Sequence, residues 1–360
     1  MKICYLSDAG SAHTLKWSEF FLEKGYEVIV ISLGDGEIPG AKVYSCEVEG
    51  FRSRSDINKL FIYYSQLSKI KAFIKKENPD IIHAHYATSY GLLASLLDIH
   101  PYILSIWGSD VYDFPKKSSL HEKLLRRNLK KADIILSTSE DMKKEVAQYT
   151  DKKVLVTPFG VDIDLFKPLD VERYPDFTVG IIKSFYPKYG ITYLIEAFKM
   201  LIDKTGEKNA KLLLGGKGTQ EQELRDLSKK LGIEDNVEFL GFLNTQGVVE
   251  AFNKMDVAVF PSVLDSESFG VAAVEAQACE VPTIVSDVGG LPEATKPGYS
   301  SITVEPQNSE AIYEALLKLY EDENLRKQMA KNARQYVIDN YNIEDNFNVV
   351  DDIYKNLLNK

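Results

Sequence analysis

Cysteine is scarce in this chain. Its 360 residues include only Cys4, Cys46 and Cys279, far apart and in no Cys-x-x-Cys or Cys/His metal spacing. An odd, scattered set argues against a disulfide framework or structural zinc, and for reduced thiols in a cytoplasm acting as small buried hydrophobes. Long apolar runs are missing too: none approaches the ~20 residues needed to span a bilayer. The N-terminus "MKICYLSDAG" goes straight from a short apolar run into polar residues, so neither anchor nor export signal is expected, and the location expected is cytoplasmic. Excess positive charge is also lacking. A formal charge of -10 argues against a nucleic-acid partner, which would normally require a basic domain or face.

What is present is the composition of a globular protein, 44% hydrophobic and 27% charged. The length exceeds one ordinary core and predicts two domains. Short β-rich runs such as "KICYLS", "EVIVIS" and "DIIHAH" alternate with longer helical patterns such as "HTLKWSEFFLEKGY". The second half repeats this with "FTVGII", "AKLLLGG", "VAVFPS" and "PTIVSD". Alternation of this kind predicts βαβ units, hence an α/β fold of two Rossmann-like domains with parallel sheets. Two prolines in "FKPLDVERYPDF", residues 166–177, mark the hinge. The expected division is 1–168, 169–340, and a terminal helix at 341–360 whose apolar stripe crosses back to the first domain.

Ligands of open parallel sheets bind beyond the carboxyl ends of the strands. The segments following the strands are accordingly rich in Gly, Lys, His, Asp and Glu: "SDAGSAHT" with Gly10 and Ser11, "HAHYATSYG" with His85, and "WGSDV" with Asp110. In the second half come "KSFYPKYG" with Lys183 and Lys188, "GGKGTQ" with Gly215 and Gly216, "GFLNTQG" with Phe242, and "PSVLDSESFG" before Val271. The lysines, the glycine-rich turn and a helix opening near Phe269 all suit phosphate oxygens. If the two domains face each other, both sets of loops line one cleft suited to a sizeable ligand.

Several sharper motifs fail. "DAGSAH" is not the Gly-x-Gly-x-x-Gly of a dinucleotide site, and Lys217 is followed by Gly218 rather than the Ser/Thr of a Walker A loop. "DID" at Asp162 and Asp164 reads better as a loop cap than as a metal site. His83 and His85 lack a third metal ligand, so no metal is expected. One segment departs from the acidic balance: "KKSSLHEKLLRRNLKK", residues 116–131, has seven Lys/Arg against Glu122 and reads as a helix with Leu120, Leu124, Leu125 and Leu129 inward. Its basic face is either simply solvated or a peripheral contact with an anionic membrane.

The most specific run is "ESFGVAAVEAQACEVP", which places Glu267 and Glu275 eight residues apart around Ser268, Phe269, Gly270 and Val271, with "TIVSDVGGLPE" following. With "KKVLVTPFGVDIDLFKP" upstream, it resembles the retaining, nucleotide-sugar-dependent glycosyltransferases of family four, whose architecture is GT-B, and the likeness covers nearly the whole chain. The resemblance implies that Glu267 holds hydroxyls of a donor sugar and that the amides of Ser268, Phe269 and Gly270 stand near it at a helix start. It also implies that Glu275 receives the ribose hydroxyls. Eight residues are ~12 Å of helix, about the reach from sugar to ribose. The family's diphosphate clamp is usually an Arg and a Lys directly before Gly. Here Lys183 stands in the Arg place, and Tyr189 displaces Lys188 by one residue. Glu280 stands where a Gly is usual, and "IWGSD" puts Trp107 near a place where many relatives carry a His. His85 and Asp110 are then the polar candidates on the acceptor side.

The function so implied is transfer of a sugar from a nucleoside diphosphate sugar, UDP-linked, to an acceptor hydroxyl with retention. The acceptor would be a sugar or a lipid-linked or cell-surface glycan precursor, and no metal or other cofactor would be needed. Two alternatives use the same shape: a UDP-sugar epimerase, and a non-catalytic sugar-nucleotide-binding regulatory partner.

Overall fold

A computed structural model of the chain describes residues 1–46 and 56–359. The described chain divides into two compact units, 1–157 with 347–360 and 158–346. In the first, seven strands form one parallel sheet: β1 (Lys2–Leu6), β2 (Glu27–Ser32), β3 (Lys42–Ser45), β4 (Ile81–His85), β5 (Tyr102–Ser105), β6 (Ile134–Ser137) and β7 (Val154–Val156). Their spatial order is β3-β2-β1-β4-β5-β6-β7, with Leu6 opposite both Ile31 and Ala84. The second unit holds a six-stranded parallel sheet of β8 (Thr178–Ile182), β9 (Lys211–Gly215), β10 (Val237–Gly241), β11 (Val257–Phe260), β12 (Thr283–Ser286) and β13 (Ser301–Val304), ordered β10-β9-β8-β11-β12-β13. The α/β, two-sheet architecture expected from the alternating pattern is therefore present.

These segments become strands because they are β-branched and apolar on both faces, as parallel sheets covered by helices require. In β4 and β11 every residue is buried. Each sheet reverses its strand order once, between β1 and β4 and between β8 and β11. At such a reversal the connecting segments leave in opposite directions and open a crevice beyond the strand ends. In the first unit that point lies beyond Leu6 and His85, and in the second beyond Ile182 and Phe260.

The division falls upstream of the proline-containing segment 166–177. Residues 158–177 belong to the second unit because its terminal helices hold them. Val161 donates its amide to the carbonyl of Tyr341 at 2.7 Å, and its own carbonyl accepts from the amide of Ile343 at 3.1 Å. The guanidinium of Arg334 donates to the carbonyls of Ile163 and Phe166. The closing helix, Ile343–Leu358, enters the first unit from Phe347 onward. There Phe347 packs on Trp17, and the Tyr354 hydroxyl meets Nδ1 of His83 at 2.5 Å. Asp351 accepts from Lys24 at 2.7 Å and Tyr26 at 2.6 Å.

The basic segment departs from its expected packing. The helix Ser119–Lys131 buries Leu125 and Leu129, but Leu120 is 64% exposed. Asn128 takes an inward place instead, accepting from Ser95 at 2.8 Å and donating to the carbonyl of Ala87 at 2.9 Å. A short polar side chain is buried there because both ends of its amide find partners.

Candidate active site

In the second unit the site begins where β8 ends. Lys183 is the next residue, and its amide extends the ladder to the carbonyl of Gly215 at 2.9 Å. Its Nζ meets Oε1 of Glu267 at 2.9 Å, with both side chains mostly buried. Burial opposes the lysine's charge, but Glu267, Tyr189 and Glu275 outweigh it and hold the ammonium above its ordinary pKa. Glu275 therefore acts on the same cation, from the helix Val271–Ala278 that follows Glu267.

Lys188 lies in a short turn, Pro187–Tyr189, and is exposed. Tyr189, the residue that sets it one place away from Gly190, meets both lysines with its ring. Its ring centroid is 4.6 Å from Nζ of Lys183 and 4.8 Å from Nζ of Lys188. One aromatic ring thus attracts two like charges. The spacing had marked Tyr189 as a departure from the usual pattern, but it did not reveal this role.

The surrounding loops are tied backbone to backbone. Gly216 donates to the carbonyl of Gly241 at 2.7 Å, next to Phe242, which is 77% exposed. A Cβ on Gly216 would stand 2.0 Å from the carbonyl oxygen of Lys183, and its φ of +138° suits no other residue. The run "ESFG" rests on the "GG" of "SDVGGLPE": Gly290 donates to the carbonyl of Glu267 at 3.0 Å, and a Cβ there would meet the Ser268 carbonyl oxygen at 2.1 Å. Phe269 turns its ring into the core against Phe159 and Tyr341, so only its backbone is left to serve a ligand. Gly270 and Val271 open the helix, whose first N–H groups have no intrahelical partner and favour anions.

The first unit holds the other candidates. His85 ends β4, buried, with Nδ1 at 3.0 Å from the Ser7 hydroxyl. Burial, aided by His83 and His13, pushes its pKa well below the ordinary imidazole value, so it is neutral at pH 7. Its neighbour His83 is held between Tyr354 and Ser105 (Nε2 to Oγ, 2.8 Å), and burial lowers it to about 3. The ring of Trp107 lies 4.6 Å from that of His85, tilted, and 5.6 Å from that of His13, edge-on. Asp110 points into the chain: its carboxylate accepts from the amides of Ala87 at 2.7 Å, Gly108 at 2.8 Å and Trp107 at 3.2 Å. It holds the loop carrying Trp107 against the end of β4. Gly10 and Ser11 turn tightly on Asp8, each donating its amide at 3.0 Å, the first to the carboxylate and the second to the carbonyl. Asp162, in "DID", accepts the amides of Asp164 and Leu165 at 3.0 Å, the contacts of a loop cap. Among the described residues no three His, Cys, Asp or Glu side chains cluster as metal ligands.

Two lysines and two glutamates thus stand on glycine-tied loops at the switch point of a parallel sheet, where cations can meet anionic oxygens and carboxylates can meet hydroxyls. Residues 2–139 match the glycosyl transferase 4-like family and residues 170–336 the glycosyl transferases group 1 family. The chain belongs to the group 1 glycosyltransferases of GT-B type, and it is an enzyme of the transferase class. An uncharacterized glycosyltransferase of Methanocaldococcus jannaschii is 27% identical across 95% of this chain and 93% of its own. The N-acetyl-alpha-D-glucosaminyl L-malate synthase of Bacillus anthracis is 27% identical across 81% of this chain and 78% of its own. Among solved structures, sucrose-phosphate synthase from Thermosynechococcus elongatus superposes with a TM-score of 0.85 at 19% identity, over 99% of each chain. Anabaena HepE in complex with UDP superposes with 0.80 at 19% identity, over 99% of this chain and all of that one.

Proposed function

We propose that the protein transfers a sugar from a UDP-sugar to an acceptor hydroxyl with retention of anomeric configuration, and without a metal. The observation that carries this reading is the Lys183–Glu267 pair at 2.9 Å, set where β8 ends at the switch point. As the glycosidic bond breaks, the leaving diphosphate gains negative charge. Lys183, Lys188 and the helix start at Gly270 and Val271 offset that charge in a pre-arranged, partly dry site. The carboxylate of Glu267 then accepts from sugar hydroxyls, and Glu275 accepts from the ribose. Gly215 and Gly216 let a backbone approach the nucleotide, and the exposed ring of Phe242 offers a face to the base. A relative is solved with UDP and another structure of it with UDP-glucose, which favours uridine as the base.

His85, neutral and beside Ser7, is the acceptor-side group, with Asp110 as a positioning residue. The acceptor is a sugar or a lipid-linked or cell-surface glycan precursor. A peripheral contact with anionic membrane through 116–131 is supported by the exposed Lys123, Arg127 and Lys130, and liposome co-sedimentation at low and high salt tests it. The central test is a screen of UDP-sugars with the purified protein, reading donor hydrolysis and transfer with EDTA present. Folded Lys183→Ala and Glu267→Ala variants retaining full activity would overturn the assignment, and activity lost to EDTA but restored by Mg²⁺ would overturn the metal-free mechanism.

A further inference from the structure

The first unit contains a cavity of about 970 Å³, at the upper end of the ~300–1,000 Å³ range of small-ligand pockets. Its walls include Tyr63, Leu92, Trp107, Phe114, Leu120 and Leu124. Those side chains suit a chain of methylenes, while Asp8, Ser11, Thr88, Ser89, Ser109 and Asp113 add polar groups to the same lining that suit a headgroup. Leu120 lines the cavity and is 64% exposed, so it stands where the cavity opens. An apolar side chain held in water there gains from covering.

At the strand ends the same cavity reaches Ser7 and His85. His85 is 1% exposed, its Nδ1 is engaged by Ser7, and its Nε2 is buried without a hydrogen-bond partner. Buried polar atoms in native proteins are nearly always paired, so an unpaired ring nitrogen on a residue that lines the cavity points to a ligand group that completes it. A neutral imidazole nitrogen meets a hydroxyl equally well as donor or acceptor, according to tautomer. Lys59 and Lys117 line the cavity together with Asp8 and Asp113, so its formal charges balance and set no sign for the headgroup.

We propose that this cavity takes an amphiphilic acceptor, with its alkyl or prenyl chain along Leu92, Leu120 and Leu124 and a headgroup hydroxyl hydrogen-bonded to Nε2 of His85. The inference deepens the transferase reading and rests on it for the role of acceptor; the binding itself does not. The ligand class is a single amphiphile molecule, not a membrane surface.

The test uses n-alkyl β-glucosides from methyl to octyl, kept below micelle-forming concentrations, with no donor present. Trp107 lines the cavity, so its fluorescence reports occupancy. Each added methylene should tighten binding about fourfold, the effect of burying one CH₂. Leu120→Glu and Leu124→Glu should weaken the octyl compound at least tenfold. His85→Leu should weaken all members by a similar factor and leave the chain-length slope intact. UDP affinity, measured by calorimetry without glucoside, should stay unchanged in all three variants and confirms their folding. Binding without a chain-length slope, or a slope that neither glutamate variant alters, overturns the proposal. UDP binding with no slope leaves the donor reading standing, whereas a slope without UDP binding overturns the donor reading alone.

Discussion

Nζ of Lys183 and Oε1 of Glu267 lie 2.9 Å apart, although 84 residues separate them in the chain. The pair neutralises itself when no anion is present. A diphosphate would share the lysine, and a sugar hydroxyl the glutamate. Lys183→Ala should lower kcat by roughly 100- to 1,000-fold, the usual effect of removing one group that stabilises charge in the transition state. Steady-state kinetics with a saturating donor would check it. Glu267→Ala should also destabilise the fold by about 1–3 kcal/mol, because it leaves a mostly buried ammonium without its partner. Urea unfolding reads that difference. The folded pKa of Lys183 is raised above 10.5, so the stabilisation is fully present below pH 10.5 and is lost only as the pH rises through the higher folded value.

Tyr189 supports both lysines through one ring. Tyr189→Leu should weaken UDP binding about tenfold through misplaced charge while changing stability little. Lys188→Ala, at an exposed position, should weaken binding to a similar degree with no change in Tm. Calorimetric titration of UDP at two salt concentrations would check both, and the salt dependence should be shallower in Lys188→Ala. An unchanged UDP affinity in both variants would remove the turn 187–189 from the site.

Gly290 has an ordinary φ of -86°, so substitution there tests contact rather than backbone strain. The added methyl of Gly290→Ala would press on the Ser268 carbonyl and push the "ESFG" backbone away. A loss of about 1–3 kcal/mol is expected, the usual result of overpacking a tight site, together with a larger loss of donor affinity. Thermal unfolding with and without UDP separates the two effects.

His83 is buried between Tyr354 and Ser105, and its folded pKa is lowered to about 3. The unfolded chain binds a proton at this residue near pH 6.5 and the folded chain does not. Its contribution to stability is therefore complete above pH 6.5 and is lost as the pH falls toward 3. His85 follows the same direction. Urea midpoints across pH 4 to 7 should fall steeply on acidification. In His83→Gln the slope should be shallower, and an identical slope would show that His83 titrates normally.

Asp110 has the opposite sign. Burial raises its folded pKa to about 6, despite the backbone amides that favour the carboxylate. The folded chain holds the proton between the ordinary value of 3.8 and about 6, so this group's contribution falls as the pH rises through that window and is constant above it. Asp110→Asn should lack this component. The stability difference between the two proteins, measured by urea unfolding at pH 4 and pH 7, should change by roughly 3 kcal/mol.

Much of the fold was readable because parallel strands buried on both faces form near-continuous apolar runs, as in "EVIVIS" and "VAVFPS", and helices with period 3.6 separate them. The loops that carry chemistry were readable for the same reason, since they follow those runs. The hinge was less so. Prolines announce a break in periodicity, but which unit owns residues 158–177 depends on Arg334 and Tyr341, far along the chain. Leu120 was misplaced because an amphipathic pattern assigns faces to a helix and cannot say which neighbour covers its first turn.

The sequence by itself determined two parallel α/β sheets, the loops that hold lysines, glutamates and glycines, and the family to which the "ESFG" run belongs. Local composition and spacing encode these things directly. Only the tertiary structure decided that Lys183 pairs with Glu267, that Tyr189 meets two ammoniums, that Asp110 is consumed by backbone amides, and that Nε2 of His85 is buried without a partner. Each of these depends on distances between residues remote in sequence, which packing sets and no local pattern records.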